Sequence, residues 1–220
     1  LGCHPSLASL LVACATTSRS LATTACVVVA ILEARPIVEM RNSVFISQHI
    51  GFLLSQPRHS LWRDAHRWAK RISIEFDLSG RKTNLEKLPE ILAIAFPYQV
   101  AKRRTSGGYQ LSSGTGANLP YSQKEHGSTW LSIAKMTLGN EADAIIRLAE
   151  PISDSLVLEV LSDRISTNIV RYWDEDKQKI VARKRRCLGE IVLSESQLKN
   201  VSSENNENLL IDIILKKGLD

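Results

Sequence analysis

The sequence predicts an α+β fold: an N-terminal helical bundle followed by a small OB-like β-barrel with an inserted helix. Three observations carry this. Apolar residues recur at steps of three and four up to about Ala95, the spacing of a buried helix face. After Pro97 the period changes to alternation, the spacing of strands. The later strands are short, separated by turn residues, and interrupted by one helical segment. These place a helical region at 1–97, a barrel at 98–195, and a linker with the start of a further C-terminal extension at 196–220.

Pro5 suits a first helical turn, and Leu7, Leu10, Leu11 and Cys14 follow at helical spacing. Thr16 to Ser20 break that helix and cap the next, which runs from about Leu21 to Ala34 and ends at Arg35-Pro36. Residues 36–57 have weak periodicity and read as loop or a short helix. Ser60 is positioned to cap a third helix, "LWRDAHRWAKRI", with Leu61, Ala65, Trp68, Ala69 and Ile72 on its apolar face. Thr83 and Glu86 have capping-box spacing ahead of a fourth helix, in which Leu88, Ile91, Leu92 and Ala95 face inward. Pro89 prefers a first turn, and Pro97 stops the helix.

Tyr98 to Arg104 reads as the first strand, turned by Ser106-Gly107-Gly108 into "YQLSS". Gly114-Thr115-Gly116 marks a bend. "STWLSIAKM" and "AIIRLAE" are further strands, and Pro151 and Ser153 introduce the helix that carries Leu156, Val157, Val160 and Leu161. "TNIVRYW", "KIVARKRR" and "CLGEIVL" return to strand, with Asp174-Glu175-Asp176 as a polar hairpin tip. Beyond Ser202 a polar stretch leads to an apolar helix face at Leu209, Leu210, Ile213 and Ile214. That unpartnered face, and an opening on Leu1, point to a piece of a longer chain.

The chain has 220 residues, 44% hydrophobic and 23% charged, enough to bury a core. Cys3, Cys14, Cys26 and Cys187 show no CxxC spacing and read as free thiols of a reducing compartment, so a cytoplasmic protein is expected. The five histidines lack companions at metal spacing, which argues against zinc. The greasy stretch from Leu7 to Leu32 is broken by Thr16 to Ser20 into runs too short for a membrane span, and no basic segment precedes it as in a signal peptide. No Walker loop and no GxSxG elbow occurs, and no catalytic residue is assigned. "WDED" clusters carboxylates, but a turn's preference for Asp explains it more simply than magnesium does.

What remains is basic sequence, with a net charge of +5 and an isoelectric point near 9.1. Lys102, Arg103 and Arg104 form one run, and Arg183 to Arg186 another. Arg63 and Arg67, with Lys70 and Arg71, give the third helix a basic face. Tyr109, Tyr172 and Trp173 are candidate stacking rings for bases. In a strand Arg183 and Arg185 point one way, and Lys184 and Arg186 the other. The nucleic-acid-binding set expected is therefore Lys102, Arg103, Arg104, Tyr109, Arg183, Arg185, Arg63 and Arg67. Charge that protects an exposed strand edge is the competing explanation.

The chain also resembles a known family. "LGCHPSLASLLVACA" is similar to a helix of the HrpB group of bacterial DEAH-type helicases, and "ACVVVAILEAR" to the alanine-rich helix after it. "ILAIAFPYQVAKRRTSGGYQLSSGTGANL" resembles the family's AFP segment most closely, and "VRYWDEDKQKIVARKRRCLGEIVL" continues the likeness. Two departures remove an arginine: Tyr98-Gln99 stands where relatives have Asp-Arg, and Thr115 stands where they have Arg. The resemblance implies the C-terminal part of an ATP-dependent RNA helicase, with a helicase-associated helical domain and an OB-like module. It implies no cofactor in this chain, ATP and magnesium being expected at motor domains elsewhere in the full-length protein. The partners implied are single-stranded RNA or DNA and those motor domains, with no membrane. A protein-interaction module that docks on the motor without touching nucleic acid is the alternative.

Overall fold

The computed structural model describes residues 2–40, 42–76, 83–123, 127–139, 143–175 and 179–198. The expected apolar helix at 209–214 lies outside them, as does Asp176. The chain divides into two compact units, Leu1–Asp163 and Arg164–Asp220.

The first unit opens with α1 (Pro5–Thr17) and α2 (Arg19–Glu33). Ser18 closes the one and caps the other, its Oγ accepting from Leu21 N at 3.3 Å. Every residue from Ala22 to Leu32 is buried, so α2 is the axis of the bundle. This offsets the weak helix propensity of Val27-Val28-Val29, since packing outweighs a few tenths of a kcal/mol per β-branched residue. Thr23 and Thr24 are also buried, and each hydroxyl donates to the carbonyl four residues back, at 3.0 and 2.8 Å.

The segment read as loop or short helix contains α3 (Ile46–Ser55). Ile46, Ile50 and Leu53 are its buried stripe. In α4 (Ser60–Arg71) the cap is His59 rather than Ser60, with Nδ1 accepting from Leu61 N at 3.2 Å. Trp62 is core: its indole N–H donates to Leu53 O at 3.1 Å, as a buried ring requires. α5 (Leu88–Ala95) starts after Lys87 with Pro89 in its first turn. Thr83 and Glu86 therefore lie too early to form the expected capping box. Phe96 leaves helical geometry at φ −127°, ψ 56°, as a residue before proline must, and Pro97–Gln99 is a short 3-10 turn rather than the start of a strand.

The barrel is closed by five strands in the order β1-β2-β3-β5-β4. They are β1 (Val100–Arg103), β2 (Tyr109–Leu111), β3 (Gly116–Asn118), β4 (Trp130–Thr137) and β5 (Ala144–Ile152). Closure comes from β1 against β4, with Ala101 opposite Leu131, while β3 and β5 pair in parallel. Tyr109, Leu111, Leu131, Ile133 and Ile146 fill the interior. The expected barrel of 98–195 is thus cut short: five strands already satisfy every edge by residue 152. The helix α6 (Asp154–Val160), capped by Ser153, follows the fifth strand.

The barrel and bundle share one packed interface. Ser132 Oγ donates to Pro89 O at 3.1 Å, and Lys135 Nζ to Leu32 O at 2.9 Å, near the C-terminal end of α2 where a cation is favoured. Ala149 N donates to Val44 O at 2.8 Å, and the buried Glu150 carboxylate accepts from Ser47 N at 2.9 Å.

Gly107 and Gly108 turn the first hairpin at φ +95° and +67°, a region that L side chains rarely occupy. Gly116, by contrast, is required for space. A Cβ there would run into the Asp143 carboxylate, which pairs with Arg104 and accepts from Asn118 Nδ2 at 3.2 Å. Gly116 therefore packs around an ion pair, while Gly114, at φ +93°, makes the expected bend. Gly116→Ala is expected to destabilise the chain by about 1–3 kcal/mol, the usual cost of overpacking. In a denaturant cycle with Asp143→Ala the two effects should be less than additive.

The second unit is a three-stranded antiparallel sheet, β6-β7-β8, of β6 (Ile165–Asp174), β7 (Lys179–Leu188) and β8 (Ile191–Gln197). Cys187-Leu188 ends β7, and Gly189-Glu190 turns into β8, so the run "CLGEIVL" is split between two strands.

Candidate nucleic-acid interface

The first basic run lies at the end of β1, beside a cleft of about 460 Å³ lined by Arg103, Arg104, the Gly107-Gly108 turn and Asp143. Alternation separates the three cations. Lys102 Nζ lies 5.3 Å from the centroid of the buried Trp130 ring. Arg104 donates through Nε to Gly107 O at 3.1 Å and pairs with Asp143. Arg103 is exposed. Tyr109 is no stacking platform: it is 2% exposed, and its hydroxyl donates to Ser128 O at 2.8 Å. It shares strand parity with Leu111, so both rest in the barrel core. Burial pushes its phenol pKa up.

On α4, Arg63 and Arg67 are exposed, and Arg67 pairs with Asp64 one turn earlier. Arg71 lies over Trp68 with its guanidinium 4.6 Å from the ring centroid. Arg63 and Lys70 carry no carboxylate partner among the described residues.

The second run is on β7, at the centre of the sheet, and its two faces differ. Arg183 and Arg185 both pair with Glu195 of β8, which sits opposite Arg185. Arg183 also lies 5.2 Å over the Tyr172 ring. Hydrogen bonds from Arg183 and then Arg185 hold the Glu195 carboxyl below the usual glutamate range. Lys184 and Arg186 emerge on the opposite face, exposed, between Ile169 and Thr167 of β6 and Ser196 and Ser194 of β8. Among the described residues neither has an ion-pair partner. Arg183 and Arg185, which were expected to bind nucleic acid, are thus the pair engaged by a carboxylate, and Lys184 and Arg186, outside the expected set, are the open one. The signal was the lone glutamate in "SESQ", whose register on β7 selects the pair of arginines that it engages.

Among the described residues no three His, Cys, Asp or Glu side chains gather to hold a metal ion, and no helix is long and apolar enough to cross a membrane. The four cysteines are free. Burial pushes the Cys14 and Cys26 thiols up to about 11 and about 12, so neither is a thiolate at neutral pH.

Residues 170–198 match the family described as ATP-dependent RNA helicase HrpB, connector region. This stretch contains all of β7 and β8 and the end of β6. No curated protein matches the chain. Among solved structures, the E. coli DExH-box NTPase HrpB superposes over 98% of this chain with a TM-score of 0.73 at 22% identity. A second structure, of the Escherichia coli DEAH/RHA helicase HrpB, covers 98% with a TM-score of 0.70 at 21% identity. The chain spans about a quarter of the length of these proteins, 25% and 26%. Residues 170–198 are thus similar to the HrpB connector, and nearly the whole chain shares its fold with a part of these two structures.

Proposed function

We propose that this chain is an accessory part of an ATP-dependent RNA helicase and guides single-stranded nucleic acid beside motor domains of the same longer protein. The observation that carries this is the open face of β7: Lys184 and Arg186 are exposed and without a carboxylate partner among the described residues, inside the segment that matches the HrpB connector. Cations spaced two residues apart along a strand lie roughly 7 Å from each other, close to the phosphate repeat of an extended single strand. ATP and magnesium belong, in this reading, to the motor domains.

The test is fluorescence anisotropy of the full 220-residue chain with a labelled single-stranded RNA across a salt series. Two phosphate contacts predict a log–log slope of about −1.4. No binding at low salt, or binding indifferent to salt, overturns the proposal. ATP turnover by this chain alone would overturn it as well. Absence of RNA binding would favour a docking module, for which the pairing of Arg183 and Arg185 with Glu195 is the supporting observation.

A further inference from the structure

A cavity of about 370 Å³ opens within the first unit, between the C-terminal end of α2, the stretch after it, α3 and the β4–β5 pair. Its lining falls into two parts. Ile31, Ile37, Met40 and Leu148 make an apolar wall. Arg35, Lys135 and Arg147 add three cations, and no carboxylate lines the cavity. None of the three has an ion-pair partner among the described residues. Two are held in place by neutral acceptors: Arg147 Nε donates to Thr137 Oγ1 at 2.9 Å, and Lys135 Nζ to Leu32 O at 2.9 Å. Each keeps further N–H donors for a ligand.

A third feature points to a ligand. His49 lines the same cavity, is 5% exposed, and has its Nε2 3.0 Å from Ser43 O. A carbonyl only accepts, so Nε2 carries the proton and Nδ1 is left as an acceptor. That Nδ1 is buried without a hydrogen-bond partner, a state that costs free energy until a donor arrives.

We propose that this cavity seats a single unstacked nucleotide, with its phosphate on Arg35, Lys135 and Arg147 and its base on the Ile37–Met40–Leu148 wall. The inference rests on the reading of the chain as a single-strand guide and adds a place where one base is taken in. The volume suits one nucleotide, at the lower end of the range for small-ligand sites. Phosphate answers the uncompensated positive charge, and a base offers the apolar face that an acidic side chain lacks. The exocyclic amine of a base, or a ribose hydroxyl, supplies the donor that His49 Nδ1 lacks.

Adenosine 5′-monophosphate, and a short oligoadenylate with its abasic counterpart, are titrated into the full chain by calorimetry and anisotropy. Two variants accompany the parent: R35Q/R147Q, which removes the exposed cations, and A34F, which fills the cavity from its rim. Melting curves confirm that both fold. The parent should bind the mononucleotide at or below about 10 mM, and each variant should lose at least about tenfold. Removing the bases should weaken oligonucleotide binding by about tenfold in the parent and not in A34F. Equal mononucleotide binding by all three proteins, or none by the parent, overturns the proposal. Binding of an acidic, leucine-rich peptide in place of the mononucleotide overturns it in favour of a protein partner. Salt-dependent oligonucleotide binding that is the same in all three proteins and unaffected by base removal leaves the guiding role standing and removes the seat. Mononucleotide binding lost in both variants, with no oligonucleotide binding at low salt, does the reverse.

Discussion

Exchanging Lys184 and Arg186 for glutamine is expected to flatten the salt dependence of single-stranded RNA binding by about 1.4 in log–log slope, one increment of about 0.7 for each lost phosphate contact. At low salt, affinity should fall by roughly ten- to a hundredfold. The same exchange at Arg183 and Arg185 should change the slope little, because Glu195 already holds both guanidinium groups. Glu195→Gln should act in the opposite direction by releasing two cations for RNA. Charge alone does not separate these variants: each double exchange removes two positive charges from one strand. Only the face differs, so equal losses from both pairs would refute an interface on the Lys184–Arg186 face. Melting curves serve as the control, since breaking the Glu195 pairs should cost little at an exposed site.

The change of period at Pro97 was legible because proline acts locally. It ends a helix, constrains Phe96 before it, and needs no distant partner. Much of the helical region was legible for the same reason, although α3 was hidden by Gly51 and by polar Ser47 and Gln48 between Ile46 and Ile50. The limit of the barrel was not legible. A strand of the closed barrel and a strand of the later sheet have the same alternation, and what separates them is pairing at long range, such as Val100 opposite Ser132. The same holds for the basic run on β7. Alternation divided its four cations into two pairs, but which pair meets a carboxylate follows only from the register that sets Arg185 against Glu195. Tyr109 is the converse case: it was a candidate stacking ring as an aromatic close to a basic run, but its parity with Leu111 places it in the core. No local pattern announced the cavity beside α2, because its lining is drawn from residues 31–49 and 135–148.

Glu150→Ala should destabilise the first unit by about 2–4 kcal/mol, because it leaves buried N–H groups at the start of α3 without an acceptor. The first residue of α3 follows Phe45, which has no capping side chain, and the cap comes instead from the barrel. Glu150 Oε2 accepts from Ser47 N at 2.9 Å, and Ile46 N also donates to the carboxylate. Beside it, Phe45 bridges Ala149 of β5 in parallel, so one short stretch joins bundle to barrel. Burial raises the Glu150 pKa above the usual glutamate range, and the hydrogen bonds from residues 46 and 47 offset this only in part. The folded chain therefore holds the proton more tightly than the unfolded chain does. Stability from this group is fully present below the unfolded pKa and declines as pH rises from there through the folded pKa. Glu150→Gln keeps an acceptor oxygen and cannot ionise, so it should cost less than Glu150→Ala. Its stability relative to the parent should rise with pH across that window. Denaturant melts of the three proteins from pH 4 to pH 8 test this directly. A parent whose stability relative to Glu150→Gln grows with pH would reverse the sign and show that the ionised carboxylate is the favoured cap.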